Sequence, residues 1–176
     1  MKKEALKRIF DFLEEKENHN IPFLWKLINN EPLTKEELIV KGNLNLKGSK
    51  ITSLPEGLEV GGSLSLIGLA ITSLPKSLKV DGTIYLKDSK ITSLPEGFKV
   101  GRDLSLFGCE QITSLPKGLK VGGNLDLRHT KITSLSEGLE VGGMLYMGST
   151  KLEKYTDDEL REMVKPGFIE GEIYRQ

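Results

Sequence analysis

The chain has one cysteine and one tryptophan in 176 residues, and aromatic residues fill only 6% of its positions. With Cys109 alone, an intrachain disulfide is excluded, which fits a reducing compartment. Neither sign of charge is in excess: 25 Lys and Arg stand against 25 Asp and Glu, and no basic cluster stands clear of acidic residues. A phosphate-tracking surface is therefore not expected, and neither is a nucleic-acid partner. Apolar runs of membrane-spanning length are also missing, so no membrane span is expected. The start, MKKEALKRIFDFLEEKE, has the positive residues of a signal peptide but no uninterrupted apolar region and no small-residue cleavage site. The expected location is the cytoplasm, with delivery into another cell by a specialised secretion system left open.

Constellations that carry chemistry are scarce too. His19 and His129 lie far apart, and neither sits in a ligand spacing such as HxxxH or CxxC. The glycine pairs recur at regular intervals without GxxxxGK or a strand-GxGxxG-helix context. No catalytic residue, cofactor or metal is assigned, and an enzyme is not expected.

What the sequence does have is repetition. KGNLNLKGSKITSLPEGLEV (41–60) returns as GGSLSLIGLAITSLPKSLKV (61–80), DGTIYLKDSKITSLPEGFKV (81–100), GRDLSLFGCEQITSLPKGLKV (101–121) and GGNLDLRHTKITSLSEGLEV (122–141). A fading copy starts at Gly142, and KEELIVKGNL (35–44) aligns on PEGLEVGGSL (55–64). A fixed period near twenty residues marks a stacked, quasi-one-dimensional fold whose units bury their apolar sides only against neighbours. The predicted division is a helical N-terminal cap over 1–32, a solenoid over 33–152 and a C-terminal cap over 153–176.

Within each copy, Leu44/Leu46, Leu64/Leu66, Ile84/Leu86, Leu104/Leu106, Leu125/Leu127 and Leu145/Met147 alternate with other residues. Alternation with period two predicts a short strand with its leucines on one side, and stacking predicts a parallel sheet. Ile51, Leu54, Leu58 and Val60 and their equivalents turn the chain around the same core. Leu58-Glu59-Val60 alternates as well, so the return side is expected to be extended rather than helical. Glycine-containing pairs such as Gly61-Gly62 then close the coil, where glycine permits a sharp return.

At the N-terminus, Leu6, Ile9, Phe10 and Leu13 form an apolar stripe on a charged helix, expected to cover the open end of the stack. The alternative is a partner-binding or membrane-surface helix. Pro22 is placed to start a second helix carrying Phe23, Leu24, Trp25, Leu27 and Ile28. Trp25 is expected to plug the cap, and an exposed binding anchor is its alternative reading. Thr34 with Glu37 has capping-box spacing, as do Thr156 and Glu159. Ile169, Ile173 and Tyr174 are expected to add a last edge strand. Glu56, Lys76, Glu96, Lys117 and Glu137 alternate in sign along the stack, a pattern suited to register and solubility.

The repeat LxLxx(S/T/C)xITSLPxxL resembles the short leucine-rich repeat of bacterial type, LxVxxNxLTxLP, familiar from secreted effectors of pathogens. The resemblance runs from about Leu33 to Leu152 and implies architecture rather than activity. It implies an α+β repeat solenoid: a leucine-rich-repeat-like stack of about six coils, one parallel sheet on one face, and capped ends. Two departures keep a parallel β-solenoid with two or three strands per coil as the alternative. The family's asparagine is replaced by Ser49, Leu69, Ser89, Cys109, Thr130 and Thr150, and V-G-G replaces its proline-rich return. Some of those effectors carry a ubiquitin-ligase domain beyond the repeats; after Leu152 only a short helix and the tail PGFIEGEIYRQ are expected here.

Function is sought at the positions between the leucines, which vary while the core positions do not. Ile67, Tyr85, Phe107, Met144 and Tyr146 are directed away from the core, with Lys87, Asp103, Asp126 and Arg128 among the charged residues around them. An apolar centre with a charged rim is how protein-recognition surfaces are built. The expected partner is another protein, and the expected role a binding module, such as a small bacterial or phage-like inhibitor or effector that occupies its target's surface. Self-assembly into a structural array is the alternative, and glycan binding by the same aromatics a weaker one.

Overall fold

Every repeat makes two short strands and two corners. The computed structural model describes residues 23–29 and 31–176; the amphipathic stripe expected over residues 2–16 lies outside them. Leu-Glu-Val and its equivalents form return strands: β1 (Ile39–Val40), β3 (Glu59–Val60), β5 (Lys79–Val80), β7 (Lys99–Val100), β9 (Lys120–Val121), β11 (Glu140–Val141) and β13 (Phe168–Ile169). The Leu-x-Leu segments form face strands: β2 (Leu44–Asn45), β4 (Leu64–Ser65), β6 (Ile84–Tyr85), β8 (Leu104–Ser105), β10 (Leu125–Asp126), β12 (Leu145–Tyr146) and β14 (Ile173–Tyr174).

These assemble into two seven-stranded parallel sheets, one of return strands and one of face strands. The architecture is thus a parallel β-solenoid, the alternative geometry, with a second sheet where a one-sheet stack would have a helical or irregular return. The reason is local. Val60 and its equivalents point inward while Glu59 and its equivalents stay at the surface, a period-two pattern that only an extended return supports.

Coil-to-coil hydrogen bonds have opposite polarity in the two sheets. On the return side each coil donates backward, as Gly61 N–H does to the Val40 carbonyl at 2.8 Å. On the face side each coil donates forward, as Leu64 N–H does to the Thr83 carbonyl at 2.9 Å. Between the sheets runs one continuous core, to which a single coil contributes Leu64, Leu66, Ile71, Leu74, Leu78 and Val80, all buried. Each such side chain stabilises the stack by about 1.5–3 kcal/mol relative to exposure.

The glycine pairs serve a different purpose from the expected sharp return. None of the V-G-G glycines has a positive φ. Instead a Cβ on Gly82 would lie 2.6 Å from the Gly62 carbonyl, and one on Gly171 would lie 2.6 Å from that of Gly143. Close approach of successive backbones is what demands glycine there. The left-handed positions lie elsewhere: just after the face strands at Gly48, Gly68, Asp88, Gly108, His129 and Ser149, and shortly before the return strands at Gly57, Gly97, Gly118 and Gly138.

The ends differ from the coils. Helix α1 (Phe23–Asn29) buries Leu27 in the core, with Phe23 packed against it and Trp25 half-buried. The Thr34–Glu37 capping box forms, and Glu37 also pairs with Lys26 at 2.9 Å. After β12 the chain leaves the stack as a 3-10 turn (Lys151–Lys154) and helix α2 (Asp157–Met163), which the Thr156–Glu159 capping box opens. It then returns to add one strand to each sheet, a full seventh rung in place of the single edge strand expected.

At the position where the resembled family has asparagine, Thr130 and Thr150 donate to carbonyls within their own coils at 2.6 Å. The Cys109 thiol donates to the Leu86 carbonyl of the preceding coil at 3.0 Å and is fully buried. Burial pushes its pKa up. Ser49 Oγ is buried without a partner among the described residues, while Leu69, at the equivalent place in the next coil, offers no polar atom. Of the alternating surface charges, Lys117 and Glu137 pair at 3.1 Å, whereas Glu56 accepts from the Ser77 hydroxyl instead. The extra residue of the fourth coil bulges outward at Glu110-Gln111, leaving Cys109 and Ile112 in register in the core.

Candidate functional site

The register of the face sheet sorts its outward side chains into three rows. The first runs through Asn43, Ser63, Thr83, Asp103, Asn124 and Met144, just before the strands. Its polar members tie coil to coil: Ser63 N–H donates to Asn43 Oδ1 at 2.7 Å, and Met144 N–H donates to Asn124 Oδ1 at 2.8 Å. Asp103 does the same for Asn124 N–H at 2.7 Å, and its other oxygen accepts from the Thr83 hydroxyl at 3.3 Å. Asp103 thus lies at the edge of the candidate surface with both oxygens engaged in holding the stack together.

The second row is Asn45, Ser65, Tyr85, Ser105, Asp126, Tyr146 and Tyr174, set side by side by strand pairing. Tyr85 stands between Ser65 and Ser105, whose small side chains flank a residue that is 42% exposed. At the C-terminal end Tyr146 and Tyr174 stack, with centroids 5.3 Å apart and rings inclined by 17°. Glu172 accepts from the Tyr174 hydroxyl and raises its pKa. The Tyr146 hydroxyl donates toward Met144 Sδ at 3.1 Å, which joins the exposed Met144 to the same end.

The third row, just past the strands, holds Lys47, Ile67, Lys87, Phe107 and Arg128. Ile67 is half-buried at the N-terminal side of this group. Lys87 Nζ lies 4.8 Å from the Phe107 ring centre, and the Arg128 guanidinium lies 5.3 Å from the same ring and 5.2 Å from that of Tyr146. His129 meets the Phe107 ring edge-on at 4.9 Å. Cation–aromatic contacts of this kind contribute about 0.5–1 kcal/mol each at exposed sites.

Asp126 orders the group. Its carboxylate accepts from Arg128 Nε at 3.0 Å and from Nη2 at 2.9 Å, and also from the Arg128 backbone N–H at 3.1 Å. The two-point grip favours the charged guanidinium and raises its pKa. The result is a continuous strip, Lys87–Phe107–Arg128–Tyr146–Tyr174, in which cations and rings alternate until the final tyrosine pair. All nine residues singled out from the sequence lie on this face or its edge. Five of them, Lys87, Phe107, Asp126, Arg128 and Tyr146, are drawn into the strip, with Met144 touching it, while Tyr85 stands separately.

Tyr174 and His129 escaped sequence reasoning. Tyr174 had a signal, because GFIEGEIY (167–174) aligns on LEVGGMLY (139–146) and puts Tyr174 on Tyr146. His129 had none, since its place depends on the left-handed corner at φ 57° that follows Arg128.

Chemically, the strip offers stacking faces, fixed positive charge and a few hydroxyl donors on a flat, strand-built surface. Among the described residues, no three His, Cys, Asp or Glu side chains gather where they would hold a metal ion, and no helix is long and apolar enough to cross a membrane. No protein-family model, curated protein or solved structure matches this chain.

Proposed function

We propose that this chain is a non-enzymatic protein-binding module that recognises another protein through its face sheet. The observation that carries the proposal is Arg128, fixed by Asp126 between Phe107 and Tyr146 on a rigid parallel sheet. Ordering rotamer-rich side chains at an interface costs about 0.5–1.5 kcal/mol each, and here that ordering precedes binding. Arginine, tyrosine and other large aromatics are also the side chains that dominate binding energy at protein interfaces. The strip supplies the anchors, and Tyr85 a second one beyond the serine gap. The partner surface that fits carries carboxylates for Lys87 and Arg128 and apolar groups for the rings. In its concrete form the module is a small bacterial or phage-like inhibitor or effector working in the cytoplasm, as the leucine-rich-repeat resemblance suggests, by covering a functional surface of its target.

A photo-crosslinking side chain placed at Ser105, between Tyr85 and Phe107, tests the proposal against one placed at Lys99 on the return sheet. The expected result is one protein species captured from Ser105 and not from Lys99. Equal capture from the two sheets, or capture from Lys99 alone, would remove the face sheet from consideration.

A further inference from the structure

Arg161 projects from α2 onto the last return strand, where Nη1 donates to the Ile169 carbonyl and Nη2 donates to the Gly171 carbonyl at 2.8 Å. In earlier coils both kinds of carbonyl serve the next coil. The Val40 carbonyl accepts from Gly61 N–H at 2.8 Å, Val60 from Asp81 at 3.0 Å, Val121 from Gly142 at 2.9 Å and Val141 from Glu170 at 2.9 Å. Two residues on, the Gly42 carbonyl accepts from Gly62 N–H at 3.0 Å, Gly62 from Gly82 at 3.0 Å and Gly143 from Gly171 at 3.0 Å. Register makes Ile169 the equivalent of Val40, and Gly171 the equivalent of Gly42. One guanidinium therefore occupies two of the three return-side acceptors that an eighth coil would use, the third being the Gly167 carbonyl, the equivalent of that of Leu38.

Donors suited to those acceptors exist at the opposite end of the stack. Lys41 and Gly42 are the first-coil equivalents of Gly61 and Gly62, and their N–H groups have no acceptor among the described residues. On the face sheet the polarity is reversed. There the first-coil carbonyls of Asn43 and Asn45 are the equivalents of Ser63 and Ser65, which accept from the preceding coil. The two ends of a parallel stack are thus complementary, and open edges of that kind are templates for a further chain.

We propose that Arg161 is a stop residue that closes the C-terminal end of the return sheet against the N-terminal end of a second copy of this chain. It is suited to this because its five donors need no acceptor in return and its side chain carries no backbone that could extend the sheet. Arg175 braces the excursion that carries Arg161, donating to the Tyr155 carbonyl at 3.0 Å and to Asp157 at 2.5 Å. The inference rests on the Arg161 contacts and on backbone register, and is independent of what the face sheet binds.

Sedimentation of the full chain over a roughly hundredfold concentration range tests it, since association through open edges follows mass action. The wild-type chain is expected to remain monomeric. Arg161→Leu, with its circular dichroism intact, is expected to form concentration-dependent oligomers, and adding Lys41→Pro, which deletes one complementary N–H, is expected to return it to monomer. A monomeric, folded Arg161→Leu would overturn the proposal, and so would oligomers indifferent to Lys41→Pro. Should Arg161→Leu lose its fold, Arg161→Lys gives the reading: its ammonium replaces the two-pronged fork, so association weaker than expected of the leucine variant, and abolished by Lys41→Pro, supports the stop. A monomer overturns it, as does wild-type assembly abolished by Lys41→Pro.

Discussion

Asp126 and Arg128, two residues apart on one face strand and its exit, are joined by side-chain hydrogen bonds of 3.0 and 2.9 Å that set the guanidinium between two aromatic rings. The pair is partly exposed, with Arg128 retaining 34% of its side-chain accessibility, so its contribution to folding is that of a screened surface pair, about 0–1 kcal/mol. Its larger consequence is for recognition. Asp126→Ala is expected to weaken partner binding by about tenfold, or about 1.4 kcal/mol, while shifting the denaturation midpoint little. Arg128→Lys, which keeps the charge and loses the fork, is expected to behave alike. Calorimetric titration beside urea unfolding measures both; a large stability loss with unchanged affinity would reverse the assignment.

Three glycines that look alike in sequence are expected to respond differently to alanine. At Gly82 the new Cβ would meet backbone 2.6 Å away, and neither strand can yield, so Gly82→Ala is expected to cost about 2–3 kcal/mol or more. Gly68 has open space but a φ of 69°, so the cost there is about 1–2 kcal/mol. Gly42 has neither constraint, and Gly42→Ala is expected to stay within about 0.5 kcal/mol of wild type. Urea unfolding of the three variants ranks them, and equal losses would contradict the close-approach account.

Ser49 carries a buried hydroxyl without a partner among the described residues. Ser49→Ala removes the desolvated group and is expected to raise stability by about 1 kcal/mol. Thr130→Ala is expected to do the opposite, because it deletes a satisfied donor bound at 2.6 Å. Thermal unfolding of the two variants separates the cases, and a shift in the same direction for both would count against this reading of the row.

Both capping-box carboxyls are held below their ordinary pKa, Glu37 first by the Thr34 N–H and then by Lys26, Glu159 by Thr156. A carboxyl whose pKa is lowered on folding stabilises above its unfolded value, and that contribution is lost as pH falls through the folded value. Acidification below about pH 4, the usual carboxylate range, is therefore expected to loosen both caps before the central coils. Hydrogen exchange at Thr34–Leu38 and Asp157–Met163, compared with Ile84–Leu86, reads this directly. Glu159→Gln is expected to remove the acid response of α2, and simultaneous loss of protection everywhere would refute the sequence of events.

Much of this fold is written in its period. The alternation in Leu44-Asn45-Leu46 and in Leu58-Glu59-Val60 is enough to place a strand on each side of the core, because only an extended chain sends alternate residues to opposite faces. The spacing does not reveal why Gly82 is glycine, since a sharp turn and a close approach to a neighbour leave the same letter. Nor does it separate Asp103 from Asp126. Both are acidic residues at outward positions, yet one holds Asn124 N–H while the other orients Arg128, and only the position of the next coil decides between them. Lys76 and Glu96 likewise alternate in sequence without forming the pair that Lys117 and Glu137 form, because exposed side chains answer to solvent as much as to register. The last rung was hidden by the helical excursion between Gly148 and Phe168, which interrupts the period although Ile169 and Ile173 resume it.

The most direct measurement of the central claim is the affinity of the captured partner for three chains: wild type, a Tyr85→Ala/Phe107→Ala/Tyr146→Ala variant, and a Lys79→Ala/Lys99→Ala/Lys120→Ala variant of the opposite sheet. Loss of two or three large anchors from an interface weakens binding by about a hundredfold or more. That loss is expected for the aromatic variant, with circular dichroism and sedimentation unchanged, and near-wild-type affinity for the lysine variant. Undiminished binding by a folded aromatic variant, or loss confined to the lysine variant, would contradict it.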